Sequence, residues 1–172
     1  MTRIPNEWRY FDDKLGIPYP WYTKPCLEFL EELDLKGKMI YEYGLGDSTE
    51  WYLRKGAVVD GVDSDDRWVG VCPTALFTRN KEVYSSSVIM QNRDLQKVLF
   101  DIIIIDGDCR DECTEYALQA LKPGGLLIID NYRQKSADLE HWPLTEKLIE
   151  GMNVQYFKEP EHQDWLTIIV TK

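Results

Sequence analysis

Two apolar runs that stop abruptly on acids stand out along the chain: FDIIIIDGD over 100–108 and LLIIDN over 126–131. An unbroken run of this kind suits a strand buried on both faces of a sheet, whereas a half-exposed strand alternates. Upstream, 39–43 reads as a strand and is followed by Gly44-Leu45-Gly46. Asp47-Ser48-Thr49-Glu50 has the form of a capping box with Asp47 in the cap position, opening a short helix that runs to Lys55 and ends at Gly56. A second strand, 57–62, finishes on Asp63, and an Asp-rich helical segment follows at 65–69. The pattern then predicts a short third strand at 82–84 leading into Ser85-Ser86-Ser87, a helix over 92–99 and a strand over 101–105. A helix over 111–121 carries Cys113, Ala117, Ala120 and Leu121 on one face, before a Lys122-Pro123-Gly124-Gly125 turn and the strand 126–129. A helix over 144–150 and two strands, 154–157 and 165–171, complete the order.

Ahead of this alternation lies an arm, 1–22, with Pro5, Pro18 and Pro20 among Trp8, Tyr10, Tyr19, Trp21 and Tyr22. It reads equally as a flap over a pocket or a strap over the core. A helix over 24–33 follows, with Leu27, Leu30 and Leu33 at roughly helical spacing and Gly37 past its end. Strands alternating with helices imply one α/β domain over 1–172: an open, largely parallel, Rossmann-like sheet covered on both faces. The last two strands, joined by a short loop, form an antiparallel edge. Ligands in such sheets bind outside the carboxyl ends of the strands. That rule sets 44–48, Asp63, Ser85 to Ser87, 106–108 and 130–133 along one rim.

Composition narrows the partners. The chain has 172 residues, 44% of them hydrophobic, and a formal net charge of −10. Without a basic stripe, such a surface repels phosphate backbones, which argues against nucleic acid as the main partner. The start lacks the apolar stretch of a secretory signal and no run reaches the length of a membrane span, so a cytoplasmic protein with no membrane contact is expected. Cys26, Cys72, Cys109 and Cys113 match neither a zinc nor a redox spacing, and reduced thiols packed as small hydrophobes are the expectation.

The glycine loop follows a strand and opens a helix, as a cofactor loop should. A dinucleotide fingerprint wants a third small residue where this chain has Thr49, and Asp47 stands where a pyrophosphate would sit. NAD is therefore disfavoured, and no Gly-Lys-Ser/Thr follows to make a phosphate-binding loop. An adenosine without phosphates removes the objection. Asp63 is placed to hydrogen-bond ribose hydroxyls, and Glu42, just before the loop, to hold a cationic group. S-adenosylmethionine (SAM) offers a ribose, a sulfonium and an ammonium. Its candidate contacts are Glu42, Gly44, Gly46, Ser48, Asp63, Ser64, Ser86, Ser87 and Asp106, with Ser86 and Ser87 lining the adenine pocket.

With Glu42-Tyr43-Gly44-Leu45-Gly46, Asp63, the strand ending at Asp106 and Leu121-Lys122-Pro123-Gly124-Gly125, the segment 39–131 resembles the core of class I SAM-dependent methyltransferases. The resemblance implies seven strands with the last antiparallel. It does not say what is methylated.

The acids at the strand ends bear on that question. Neighbouring strands lie ~4.8 Å apart, so Asp106 and Asp130 can converge on one ion, with Asn131 adding a neutral oxygen. Hard oxygen ligands suit Mg²⁺, which would lower the pKa of a bound hydroxyl. Asp108, in the same turn, is the candidate base; capping the next helix is the other reading, and the two are compatible. His141 is the runner-up base. Tyr132 and Arg133 are placed either to meet the acceptor or to serve the surface, and Trp68, Trp142 and Trp165 are read as packing.

This arrangement resembles two groups of metal-dependent O-methyltransferases. The catechol and caffeoyl-CoA type carries Asp and then Asp-Asn at these strand ends, as Asp106 and Asp130-Asn131 do; the lysine typical of that type is replaced here by Asp108-Cys109-Arg110. The group acting on antibiotic sugars carries Asp-Gly-Asp with the second Asp as base, matching Asp106-Gly107-Asp108. The expectation is an Mg²⁺-assisted O-methyltransferase acting on a hydroxyl of a sugar or glycosylated small molecule. Competing readings are a phenol or catechol methyltransferase and a non-catalytic subunit of this fold. So short a chain leaves little room for an acceptor-recognition insert, which points to a partner or a homodimer completing the site.

Overall fold

The structure, a computed structural model, describes all residues except 6, 8, 95–98, 136–140 and 163; side chains are also left undescribed at 69 and 91–94. The arm forms a small antiparallel ribbon of β1 (Thr2–Arg3), β2 (Tyr10–Asp12) and β3 (Ile17–Pro18). Then come α1 (Lys24–Glu31), β4 (Met39–Tyr43), α2 (Asp47–Arg54), β5 (Val58–Asp63), α3 (Asp66–Val69) and β6 (Leu76–Phe77). The chain continues through α4 (Lys81–Asp94), β7 (Phe100–Ile105), α5 (Arg110–Ala120), β8 (Leu121–Ile129), α6 (Pro143–Leu148), β9 (Asn153–Lys158) and β10 (Leu166–Thr171).

Seven of these strands make one sheet in the order β6-β5-β4-β7-β8-β10-β9. Strands β4 to β8 pair in parallel, and β10 runs antiparallel to both β8 and β9. The order reverses between β4 and β7, so the loops after these two strands flank the switch point where such sheets take ligands. The isoleucine run of β7 is apolar throughout because alternate residues serve two cores. Ile103 and Ile105 pack with Cys113 and Ala117 of α5, while Ile102 and Ile104 pack with Leu27 and Leu30 of α1 and Trp51 of α2.

The third strand differs from the sequence reading. It is β6, two residues paired with Val62 and Asp63, and 82–84 belongs to α4 instead. Asn80 supplies the helix start, its Oδ1 accepting from the backbone N–H groups of Glu82 and Val83 at 3.0 and 3.1 Å. The serines that suggested a loop are accommodated because their hydroxyls donate one turn back. Ser86 Oγ bonds Glu82 O at 2.6 Å and Ser87 Oγ bonds Tyr84 O at 2.6 Å. Trp8 and part of the helix expected over 92–99 lie outside the described residues; 92–94 continue α4. The Asp47 cap is also corrected. Gly46 is the cap, Asp47 is the first helical residue, and Thr49 Oγ1 accepts from Gly46 N–H at 3.0 Å. Glu50 pairs with Arg54.

The arm is a strap pinned by a buried carboxylate. Asp12 accepts from Trp51 Nε1 at 3.0 Å and from the backbone N–H groups of Lys14 and Leu15. Tyr19 and Tyr22 are buried against the core behind it. Replacing Asp12 with Ala leaves the buried Trp51 N–H without its acceptor. We expect a loss of about 2–3 kcal/mol in urea unfolding and faster proteolysis within the first twenty residues. Wild-type stability and cleavage would contradict the pinning. The four cysteines are free; Cys26, Cys72 and Cys113 are buried and Cys109 is half-buried.

Candidate functional site

The loop after β4 is shaped by contact with the turn after β7. Gly44 has φ +94°, and a Cβ there would lie 2.6 Å from the Gly107 backbone. Gly107 is pressed in return against Gly44 and the Tyr84 hydroxyl, so Asp106-Gly107-Asp108 needs its glycine for packing at the switch point. Tyr84 Oη also accepts from Asp108 N–H at 3.2 Å.

Asp63, at the tip of β5, holds the same loop from the other side. One carboxylate oxygen accepts from Leu45 N–H at 2.7 Å and the other from Asp65 N–H at 2.7 Å. Each oxygen keeps a further lone pair for a ligand. Burial raises the Asp63 pKa against the pull of these backbone donors. Beneath the loop lies Glu42, fully buried, with no hydrogen-bond partner for either carboxylate oxygen among the described residues. Burial pushes it up to about 7; the Thr49 and Ser48 hydroxyls, nearby but making no hydrogen bond to it here, oppose the rise, and Asp106 and Asp63 add to it.

A cleft of 430 Å³ opens over this loop. It is lined by Gly44, Leu45, Gly46, Ser48, Asp63 and Ser64, with Trp68, Asp106 and Asp108 facing them. The arm closes one side through Arg9, which pairs with Asp47, and Trp21, over which the Arg9 guanidinium sits at 5.4 Å. The arm is thus both strap and wall. Ser86 and Ser87 are absent from the cleft. Ser87 is buried behind β4, bonded by Tyr41 Oη at 2.8 Å, and Ser86 lies on the outer side of α4. The adjoining pocket is lined by Ser64, Thr78, Arg79, Lys81, Tyr84, Asp108 and Cys109.

Asp108 lies on this side of the rim. Ser64 Oγ donates to its carboxylate at 2.6 Å. It caps no helix, since the residue preceding α5 is Cys109, in the left-handed region at φ 49° and without a side-chain cap bond. Gly107, folded against Gly44, turns Asp108 away from Asp130. The acids facing the second cleft are Asp106 and Asp130.

That second cleft, 420 Å³, is lined by Trp21, Asp106, Arg110, Asp130, Asn131, Gln134, His162 and Trp165. Asp130 is buried, accepting from Thr167 Oγ1 at 2.5 Å and from Trp165 Nε1 at 3.2 Å. Burial raises the pKa of both Asp106 and Asp130, and the Asp106 charge raises that of Asp130 further. Asn131 adopts φ 53° and Arg133 φ 56°; with Cys109 they are the non-glycine residues at positive φ among those described, all in the turns after β7 and β8. Such local strain gathers where surrounding contacts fix a site.

Asp106, Asp130 and Asn131 do come together at adjacent strand ends, but their oxygens are already engaged. Arg110 donates to Asn131 Oδ1 at 2.9 Å and its guanidinium lies 3.1 Å from Asp106 Oδ1. Asp130 is turned to Trp165 and Thr167. No group of three or more His, Cys, Asp or Glu suited to a metal ion occurs among the described residues. The arrangement does not fit the expected Mg²⁺ site, because a guanidinium holds the position between its ligands.

Sequence reading missed Arg110, Trp165, Thr167, Trp21 and Arg9 as site residues. Trp165 is more than packing, donating to Asp130 and lining the cleft. Trp142 is buried against Tyr132. Arg133 pairs with Glu146 at 2.6 Å and His141 is exposed; neither lines either cleft.

Known structures share this architecture. An O-methyltransferase from Bacillus cereus, solved with SAH, superposes over 86% of this chain and 79% of its own, with TM-score 0.59 and 16% identity. TomG from Streptomyces achromogenes, an O-methyltransferase involved in tomaymycin synthesis and solved with SAM, matches over 86% and 78%, with TM-score 0.58 and 16% identity. MycE, from the mycinamycin biosynthetic pathway and solved with Mg, SAH and mycinamycin VI, matches over 88% of this chain but 49% of its own, with TM-score 0.57 and 13% identity. No protein-family model matches the sequence, and no curated protein matches it. The chain therefore has the fold of class I SAM-dependent methyltransferases, as the sequence led us to expect. No helix among the described residues is long and apolar enough to cross a membrane.

Proposed function

We propose that this protein is a SAM-dependent O-methyltransferase acting on a hydroxyl of a sugar or a glycosylated small molecule. The observation that carries the cofactor reading is the unpartnered, buried Glu42 carboxylate under a Gly-x-Gly loop that Asp63 holds from the opposite side. These residues fit a cationic, phosphate-free nucleoside, and they fit a dinucleotide poorly, because Asp47 opens α2 where a phosphate would bind. SAM, when bound, supplies a methyl group on a cationic sulfur.

Within this reading, Asp63 keeps lone pairs for ribose hydroxyls, and Ser64 and Asp108 face the adenosine side. Glu42 lines neither cleft and contributes its charge from behind the loop. Asp106 lines both clefts and so faces cofactor and acceptor together. Asp106, which lines both clefts, is the acid placed to take the acceptor proton, within a pocket that the buried Asp130, Trp165 and Thr167 keep ordered. The acceptor cleft supports a hydroxyl-rich ligand. Asp106, Asn131, Gln134 and His162 give it a polar lining, and the exposed Trp21 supplies an apolar face for the C–H side of a ring.

Calorimetry with SAM should give micromolar to submillimolar binding, and Asp63→Ala should weaken it by about tenfold or more. Labelled methyl transfer onto nucleotide sugars, oligosaccharides and catechols then separates the acceptors. SAM binding without transfer to any of them would favour a non-catalytic subunit; transfer confined to catechols would overturn the sugar reading.

A further inference from the structure

Arg110 is held by four hydrogen bonds and one ion pair within the protein. Nε bonds Gly107 O at 2.8 Å; Nη1 bonds Asp130 O at 2.8 Å and Asn131 Oδ1 at 2.9 Å; Nη2 bonds Asp106 O at 2.7 Å and meets Asp106 Oδ1 at 3.1 Å. The residue is mostly buried and starts α5, directly behind the turns that follow β7 and β8. One guanidinium therefore ties together both strand ends on which the metal ligands were expected. The left-handed turn at Asn131 accompanies a side chain whose oxygen meets that cation.

We propose that Arg110 takes the place of a divalent cation in this site, so that the protein binds no catalytic metal and works without one. This rests on the SAM-dependent transfer proposed above. A guanidinium is a fixed single charge with directed donors and no open coordination position. It neutralises Asp106 and holds Asn131, as a metal would, but with all three of its nitrogens turned to protein oxygens it does not bind the acceptor oxygen. Arg110 is thus a positioning residue, and removal of the acceptor proton falls to the neighbouring Asp106 carboxylate. The acceptor follows from this. Without a cation to chelate, two adjacent hydroxyls are unnecessary, and a substrate presenting a single hydroxyl suffices.

Manganese titration followed by electron paramagnetic resonance tests this on the full chain with SAH present. Wild type should leave the free Mn²⁺ signal undiminished up to about 1 mM, the weak end of carboxylate sites. Arg110→Ala frees Asp106 and Asn131, so it should bind one Mn²⁺, and adding Asp106→Asn should remove that binding. Wild-type binding tighter than about 0.1 mM that Asp106→Asn abolishes would overturn the proposal. So would a folded Arg110→Ala protein, checked by circular dichroism, that takes up no Mn²⁺. If that variant fails to fold, Arg110→Gln replaces it, and the wild-type titration still decides whether metal is excluded. Calorimetry with SAH in the same samples keeps the two readings separate. Absent SAH binding counts against the cofactor, whereas metal uptake by wild type counts against Arg110.

Discussion

Replacing Gly107 with Ala is expected to cost about 3 kcal/mol or more of stability and to abolish SAM binding, because the added methyl has nowhere to go. Its Cβ would lie 2.8 Å from the Gly44 Cα and overlap the Tyr84 hydroxyl. Gly44 cannot retreat, since its N–H is bonded to Val62 O at 2.9 Å and its φ of +94° already belongs to glycine. Urea unfolding and calorimetry with SAM measure the two effects. Tyr84→Phe in the same chain should recover part of the stability by removing the hydroxyl, but not the binding, since the clash with Gly44 remains. A Gly107→Ala protein with wild-type unfolding and SAM affinity would show that the two loops do not meet as described. This contact also explains the central glycine of Asp106-Gly107-Asp108 without reference to the acceptor, so the motif alone does not distinguish sugars from phenols.

Glu42→Gln should stabilise the ligand-free protein at high pH while weakening SAM binding. The Glu42 carboxyl rises from 4.5 in the unfolded chain to about 7 in the fold. An acid with a raised folded pKa binds more protons in the native state, so its contribution is intact below pH 4.5 and is lost as pH climbs through 7. The full cost of ionising it is about 3 kcal/mol. Glutamine escapes it. The advantage of the variant should grow by about 2 kcal/mol between pH ~5.5 and ~8.5 in urea unfolding. SAM affinity should fall by about tenfold, the loss expected when one charge near a cationic ligand is removed. Wild type should also release a proton on binding SAM near pH ~6.5, seen as buffer-dependent heat, and the variant should not. Equal stability at both pH values would mean that Glu42 is not buried in its charged form.

Much of the sheet was legible because burial and periodicity coincide. The strands read at 39–43, 57–62 and 101–105 and the final pair fall within one residue of those in the structure, because apolar residues cluster there between turn signals. The third strand was not, because β6 has only two residues and earns no periodic signal. The serines at 85–87 misled for a related reason: their helix relies on Asn80 and on hydroxyls bonded one turn back, neither of which enters hydrophobic patterning. In the site, Glu42, Gly44, Asp63 and Asp106 could be named from one motif and its neighbours. Arg9, Trp21 and Trp165 could not, because they reach the clefts from segments far away in sequence.

What the sequence by itself determined is the parallel sheet, its polarity and the rim that carries its loops, since the alternation of strands and helices along the chain and the turn chemistry are local properties. It also determined that acids would crowd that rim. How those acids are used was decided only in three dimensions. Gly107 folds Asp108 toward Ser64, and Arg110, the first residue of α5, reaches back between Asp106 and Asn131. Sequence spacing brings carboxylates near one another; only the packed positions of a cation and of hydrogen-bond donors settle which of them remain open to a ligand.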